Sequence, residues 1–64
     1  MRIDRFKLVS ELMHLEMTQK QLAEKAGVSR ATINYVKAGK SCSDEVGRKI
    51  AKALGVDVTE ILED

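Results

Sequence analysis

Apolar residues recur along this chain at intervals of three and four, and glycines interrupt the rhythm. That period belongs to helices with one buried face. From Ile3 to about His14, Phe6, Val9 and Met13 make one stripe, and Leu8, Leu12 and Leu15 make a second beside it. Together they predict a helix with a broad buried face. Thr18-x-x-Gln21 fits a capping box, in which hydroxyl and amide satisfy backbone N–H groups at a helix start. The second helix runs to about Ala26, with Leu22, Ala23 and Ala26 inward, and Gly27 stops it. Ser29 caps a third helix, Arg30 to about Ala38, anchored by Ile33 and Val36 and ended by Gly39. After the polar loop Lys40-Ser41-Cys42, Ser41 or Ser43 caps a fourth helix that turns Val46, Ile50, Ala53 and Leu54 inward. Gly47 inside that helix costs about 1 kcal/mol against Ala and reads as a close approach to a neighbouring helix. Gly55 closes it, and the acidic box Asp57-x-x-Glu60 opens a short fifth helix with Ile61 and Leu62. The expectation is an all-α single domain over residues 1–64, five helices and no strand. Leu12, Leu22, Ala23, Ile33, Val36, Ile50 and Leu54 are expected among its most buried residues.

Composition narrows the function classes. At 64 residues there is room for one core only. A 44% hydrophobic content is an ordinary globular level. One Cys excludes an intrachain disulfide, and with one His, His14, no multi-ligand metal site is expected. No apolar run is long enough for a signal peptide or a membrane span, so the chain reads as cytoplasmic. The net charge of +1 conceals a division. Residues 18–41 carry +4, from Lys20, Lys25, Arg30, Lys37 and Lys40 against Glu24, whereas residues 55–64 carry −4. A basic middle and an acidic tail suit an anionic partner at the centre.

The informative stretch is Gln19 to Ala38. Two helices joined by a tight turn read DNA when the second projects a polar face. Ala23 is small where the second helix must cross the third, Gly27 stands at the turn, and Ile33 and Val36 pin the third helix to the core. The outward face of the third helix then presents Arg30, Ala31, Asn34, Tyr35 and Lys37, with Ser29 and Thr32 at its flank. Arg pairs bidentately with guanine and Asn with adenine. Tyr suits a thymine methyl or a phosphate. The N–H groups at the start of that helix point at any anion they meet.

The run MTQKQLAEKAGVSRATINYVKAGK, followed by KIAKALGVDVTEIL, resembles the lambda repressor and Cro superfamily, in its Xre-like branch of prokaryotic regulators. The resemblance covers about residues 5–63, with the helix-turn-helix at about 18–38. It implies a five-helix DNA-binding domain whose third helix enters the major groove of double-stranded DNA. It also implies roles for particular residues. Ser29, Arg30, Ala31, Asn34 and Tyr35 would face bases, and Gln19, Thr32, Lys37 and Lys40 would meet phosphates. The loop Ser41-Cys42-Ser43-Asp44-Glu45 departs from the family pattern, since its acidic pair disfavours a phosphate contact.

The reading that follows is a sequence-specific transcriptional regulator, a repressor of phage or mobile-element type, binding a palindromic operator as a homodimer. One short helix reads too few base pairs to find a single genomic site. Pairing places two such helices in successive major grooves about 34 Å apart. Val56, Val58, Ile61 and Leu62 crowd one short stretch, which places the dimer contact in residues 55–64. No nucleophile triad, metal spacing or glycine-rich phosphate loop is legible, so an enzyme is not expected, and neither a cofactor nor a metal. His14 beside Glu11 reads as a solvated pair and Cys42 as a small loop residue. The alternative from another class is a protein-interaction module of the same fold, of antitoxin or anti-repressor type. Its third helix would be more apolar than this one.

Overall fold

A computed structural model describes all residues 1–64. It contains α1 (Arg5–His14), α2 (Gln19–Ala26), α3 (Arg30–Lys37) and α4 (Asp44–Leu54), followed by a single 3-10 turn, Val58–Glu60. Each helix starts where a short polar side chain can cap it. Asp4 accepts from the N–H groups of Phe6 and Lys7 at 2.8 and 3.1 Å. Thr18 and Gln21 form the reciprocal box anticipated from their spacing. Ser29 accepts from Thr32 N–H, and Ser43, not Ser41, accepts from Val46 N–H, both at 3.1 Å. No helix is long and apolar enough to cross a membrane.

The fifth helix is not formed. The capping box of Asp57 and Glu60 is present, but it starts only the 3-10 turn. Beyond it the chain is drawn into an isolated antiparallel bridge between Ile3 and Leu62. Asp4 N–H donates to the Ile61 carbonyl at 2.8 Å, and Glu63 N–H to that of Arg2 at 3.1 Å. These bonds need extended backbone, which a helix cannot supply. They also remove Ile3 from α1, so the helix begins two residues later than its apolar pattern suggests.

The core holds all seven residues expected to be most buried, joined by Ile3, Leu8, Ala51, Ala53 and Ile61. In α1 neither stripe is buried whole, since Leu15 is 42% exposed and Val9 is half-buried. Leu8 and Leu12 are buried, while Phe6 and Met13 remain 73% and 74% exposed. A helix packing by one face against α3 cannot bury both. Gly47 is buried as expected of a close approach, but its neighbour is not a helix. A Cβ there would collide with the Met1 thioether. Met1 is held in place by paired backbone bonds with Cys42, each 2.8 Å, with the Met1 amino group and the Cys42 N–H as donors.

A candidate nucleic-acid interface

The joint between α2 and α3 is built on two small residues. Ala23 is buried where the helices meet. Its carbonyl accepts from the N–H groups of both Gly27 and Val28 at 3.0 Å, which ends α2 and turns the chain. Gly27 adopts φ +74° with open space around it. The demand for glycine there comes from the left-handed backbone, not from crowding. Ser29 then starts α3 immediately, so the turn is short and its angle is set by hydrogen bonds at both ends.

Ile33 and Val36 are completely buried, and this fixes the rotation of α3 about its axis. Arg30, Ala31, Asn34 and Tyr35 are exposed, and Thr32 and Lys37 are half-buried at the margins. At 3.6 residues per turn, Ala31 stands opposite the buried edge, between Asn34 and Tyr35. The small methyl of Ala31 leaves the two polar side chains free to project. Tyr35 is 54% exposed. The Lys40 ammonium lies 5.8 Å from the centre of its ring, within cation–π range. This holds a positive charge at the C-terminal edge of the face.

The remaining candidates group around this helix. Gln19 is the first residue of α2 and half-buried. Lys20 beside it is exposed, a cation signalled only by the charge of residues 18–41. Ser29 is exposed, but its hydroxyl caps α3 and pairs with the Thr32 hydroxyl at 2.9 Å. Its capacity to read a base is therefore shared with a structural duty. None of Lys20, Lys25, Arg30, Lys37 and Lys40 is in an ion pair, since the two salt bridges are Lys7–Asp64 and Lys49–Glu45. These five cations are available to an external anion.

The four candidates for a dimer contact fare differently. Ile61 is 0% exposed and belongs to the core, so it cannot face a partner. The 3-10 turn rotates it inward, where a fifth helix was expected to leave it free. Leu62 is half-buried in the bridge to Ile3. Val56 and Val58 pack partly buried against the core. The C-terminal segment therefore has little apolar surface left to offer. Cys42 is half-buried, and burial pushes its thiol up from the ordinary value, against the opposing effect of the Met1 ammonium. A thiol raised in this way is a poor nucleophile.

A short turn, a buried anchor pair and a polar outward face with unpaired cations define a helix-turn-helix domain. The chain belongs to the helix-turn-helix family HTH_3, of Xre/Cro/C1 type, which matches residues 10–61. It is 37% identical over 54 residues to Repressor protein C of Rhizobium phage 16-3, a match covering 84% of this chain and 20% of that protein. Among solved structures, it is similar along its whole length to the Y98F mutant of hydroxyethylphosphonate dioxygenase (TM-score 0.87, 26% identity, 14% of that chain). Native PhpD with cadmium atoms gives TM-score 0.85 and 26% identity, again over 14% of that chain. The chain thus spans a fifth of the curated relative and about a seventh of each of these structures.

Proposed function

We propose that this chain is a sequence-specific double-stranded DNA-binding module of a transcriptional regulator. In this reading it is a repressor that occupies a palindromic operator as a homodimer in the cytoplasm. The observation that carries the proposal is the division of α3. Its inner edge, Ile33 and Val36, is completely buried, and its outer edge is polar and contains no acidic residue. Arg30, Ala31, Asn34 and Tyr35 read base edges, with Ser29 assisting at the helix start. Gln19, Thr32, Lys37 and Lys40 meet phosphates and set the register, because contacts to the sugar-phosphate backbone position a protein and base contacts give specificity. The relative named a repressor supports the sign of regulation. The domain acts by binding, without metal, cofactor or catalysis.

A second reading has its own support. The same fold forms part of a protein named as a dioxygenase, so the fold alone does not dictate DNA as its partner. In that reading the domain is a protein-interaction module. Selection of bound duplexes from a random pool, followed by footprinting, separates the two. A recovered motif with two-fold symmetry, protected at successive major grooves, is the expected result. A pool that stays random, with binding that only follows net charge, would overturn the DNA-reading role.

A further inference from the structure

We propose that Tyr35 is a positioning residue for Lys40: its ring holds the Lys40 ammonium at the end of α3, where a phosphate of bound DNA takes it up. The inference rests on the DNA-binding reading and deepens it, since it gives Tyr35 a share in affinity besides its base contact.

Three helices of this domain end in the same hydrogen-bonded turn. After α2, Val28 N–H donates to the Ala23 carbonyl at 3.0 Å and Gly27 N–H to that of Glu24 at 3.3 Å. After α4, Val56 N–H donates to the Ala51 carbonyl at 3.0 Å and Gly55 N–H to that of Lys52 at 3.1 Å. After α3, Lys40 N–H donates to the Tyr35 carbonyl at 3.4 Å and Gly39 N–H to that of Val36 at 3.0 Å. Gly27, Gly39 and Gly55 all have positive φ. This is the Schellman motif, which folds the residue after the glycine back towards the residue five before it. An apolar contact commonly accompanies it. Two of the turns have that character, since Ala23 and Ala51 are in the core and Val28 and Val56 pack against it. The third departs. Tyr35 is 54% exposed and Lys40 is exposed, and they meet as ring and ammonium, 5.8 Å apart. A pair so open to solvent adds little to the core, so packing does not account for it.

The pair suits an anion held beside α3. An ammonium has three N–H donors and no acceptor. With the ring on one side, its other donors are free for phosphate oxygens. Lys40 takes part in neither salt bridge, and residues 30–43 contain no acidic side chain to compete for it. A long side chain ordered only on binding costs affinity. Lys40 leaning on the Tyr35 ring has lost part of that freedom beforehand. Exposed cation–π contacts correspond to about two- to fivefold in an equilibrium constant, which is the size of effect expected here.

Two measurements on the full chain test this. In the free protein, NMR should place the Lys40 ε-methylene protons upfield, shifted by the Tyr35 ring current. Tyr35→Phe should keep that shift and Tyr35→Leu, which has no π face, should abolish it. Fluorescence anisotropy then follows binding to a duplex of arbitrary sequence, on which base reading contributes nothing. Tyr35→Leu should weaken binding about two- to fivefold, and Tyr35→Phe should recover most of the loss. In a Lys40→Met background the effect of Tyr35→Leu should vanish, because Tyr35 acts through Lys40. Circular dichroism checks that each variant is folded. Absence of the upfield shift would overturn the proposal. So would a Phe variant as weak as the Leu variant, or a loss that persists in the Lys40→Met background. Selection that returns no motif would strike the sequence-specific reading instead, and the shift and the double-mutant cycle would still decide the role of Tyr35. A wild type without affinity for any duplex would overturn both.

Discussion

Replacing Leu22 by Ala should bring this domain close to its unfolding threshold. Leu22 lies in the middle of α2, is completely buried, and belongs to the core shared with α3 and α4. The change removes three carbons, and at about 0.8 kcal/mol per buried methylene the transfer loss is about 2.4 kcal/mol. The residual cavity adds to that, giving a total of about 3–4 kcal/mol, within the range measured for buried Leu→Ala changes. Stabilities of roughly 0.05–0.15 kcal/mol per residue give a domain of this size about 3–10 kcal/mol. The variant thus loses between a third and all of its stability. For a domain this small, each kcal/mol corresponds to about 4–8 °C of melting temperature, so a fall of at least about 12 °C is expected. Urea and thermal melts followed by circular dichroism measure it directly. Operator DNA in excess should restore part of the loss, since binding favours only the folded state. A destabilisation below about 1 kcal/mol, against the usual range for such a change, would refute the claim that Leu22 holds α2 to the core.

Arg30→Ala should cost about 1–3 kcal/mol at one base pair and relax preference there, as a repeat selection from random duplexes would reveal; an unchanged motif would remove Arg30 from base reading. Lys40→Ala should weaken all duplexes alike and reduce the slope of log affinity against log salt by about 1, and fluorescence anisotropy across a salt series measures it. Ser29→Ala removes the cap of α3 and should cost about 1 kcal/mol, to be read from urea melts, with weaker DNA binding following from the frayed helix start. The N–H of Thr59, and secondly its hydroxyl, donate to Asp57 and hold that carboxyl below its ordinary 3.8. A folded-state pKa lowered in this way contributes stability above the unfolded value and loses it as pH falls through the folded one. The 3-10 turn should therefore loosen only below about pH 4, and Asp57→Asn should remove that step. An NMR titration placing the Asp57 carboxyl at or above its ordinary value would contradict the assignment.

The helical body was legible because its signals are local. Thr18, Ser29 and Gly27 each act within four residues of themselves, so caps and stops could be read without knowledge of the rest of the chain. The orientation of α3 was legible for a related reason, since Ile33 and Val36 leave only one way to turn a helix of eight residues. What escaped were the long-range contacts. Nothing around Ile3 announces a partner at Leu62, and nothing near Gly47 announces Met1. The acidic box at Asp57 was correctly seen, yet its length of helix was decided by the bridge that follows. In α1 both stripes have helical spacing, and periodicity cannot say which of their residues the rest of the domain will cover. The exposed Phe6 and Met13 record that ambiguity.

The bridge between Ile3 and Leu62 has a consequence for how this domain can be built into proteins. With Glu63 N–H bonded to the Arg2 carbonyl and the Lys7 ammonium on the Leu62 carbonyl and the Asp64 carboxylate, the two ends of the chain leave the domain side by side. A polypeptide could enter and depart through one doorway, so the domain can stand as a parenthesis inside a longer sequence without prising its host apart. The same proximity means that a short peptide could join the old ends while new ones are opened in the loop after α3, giving a circular permutant with its reading helix intact.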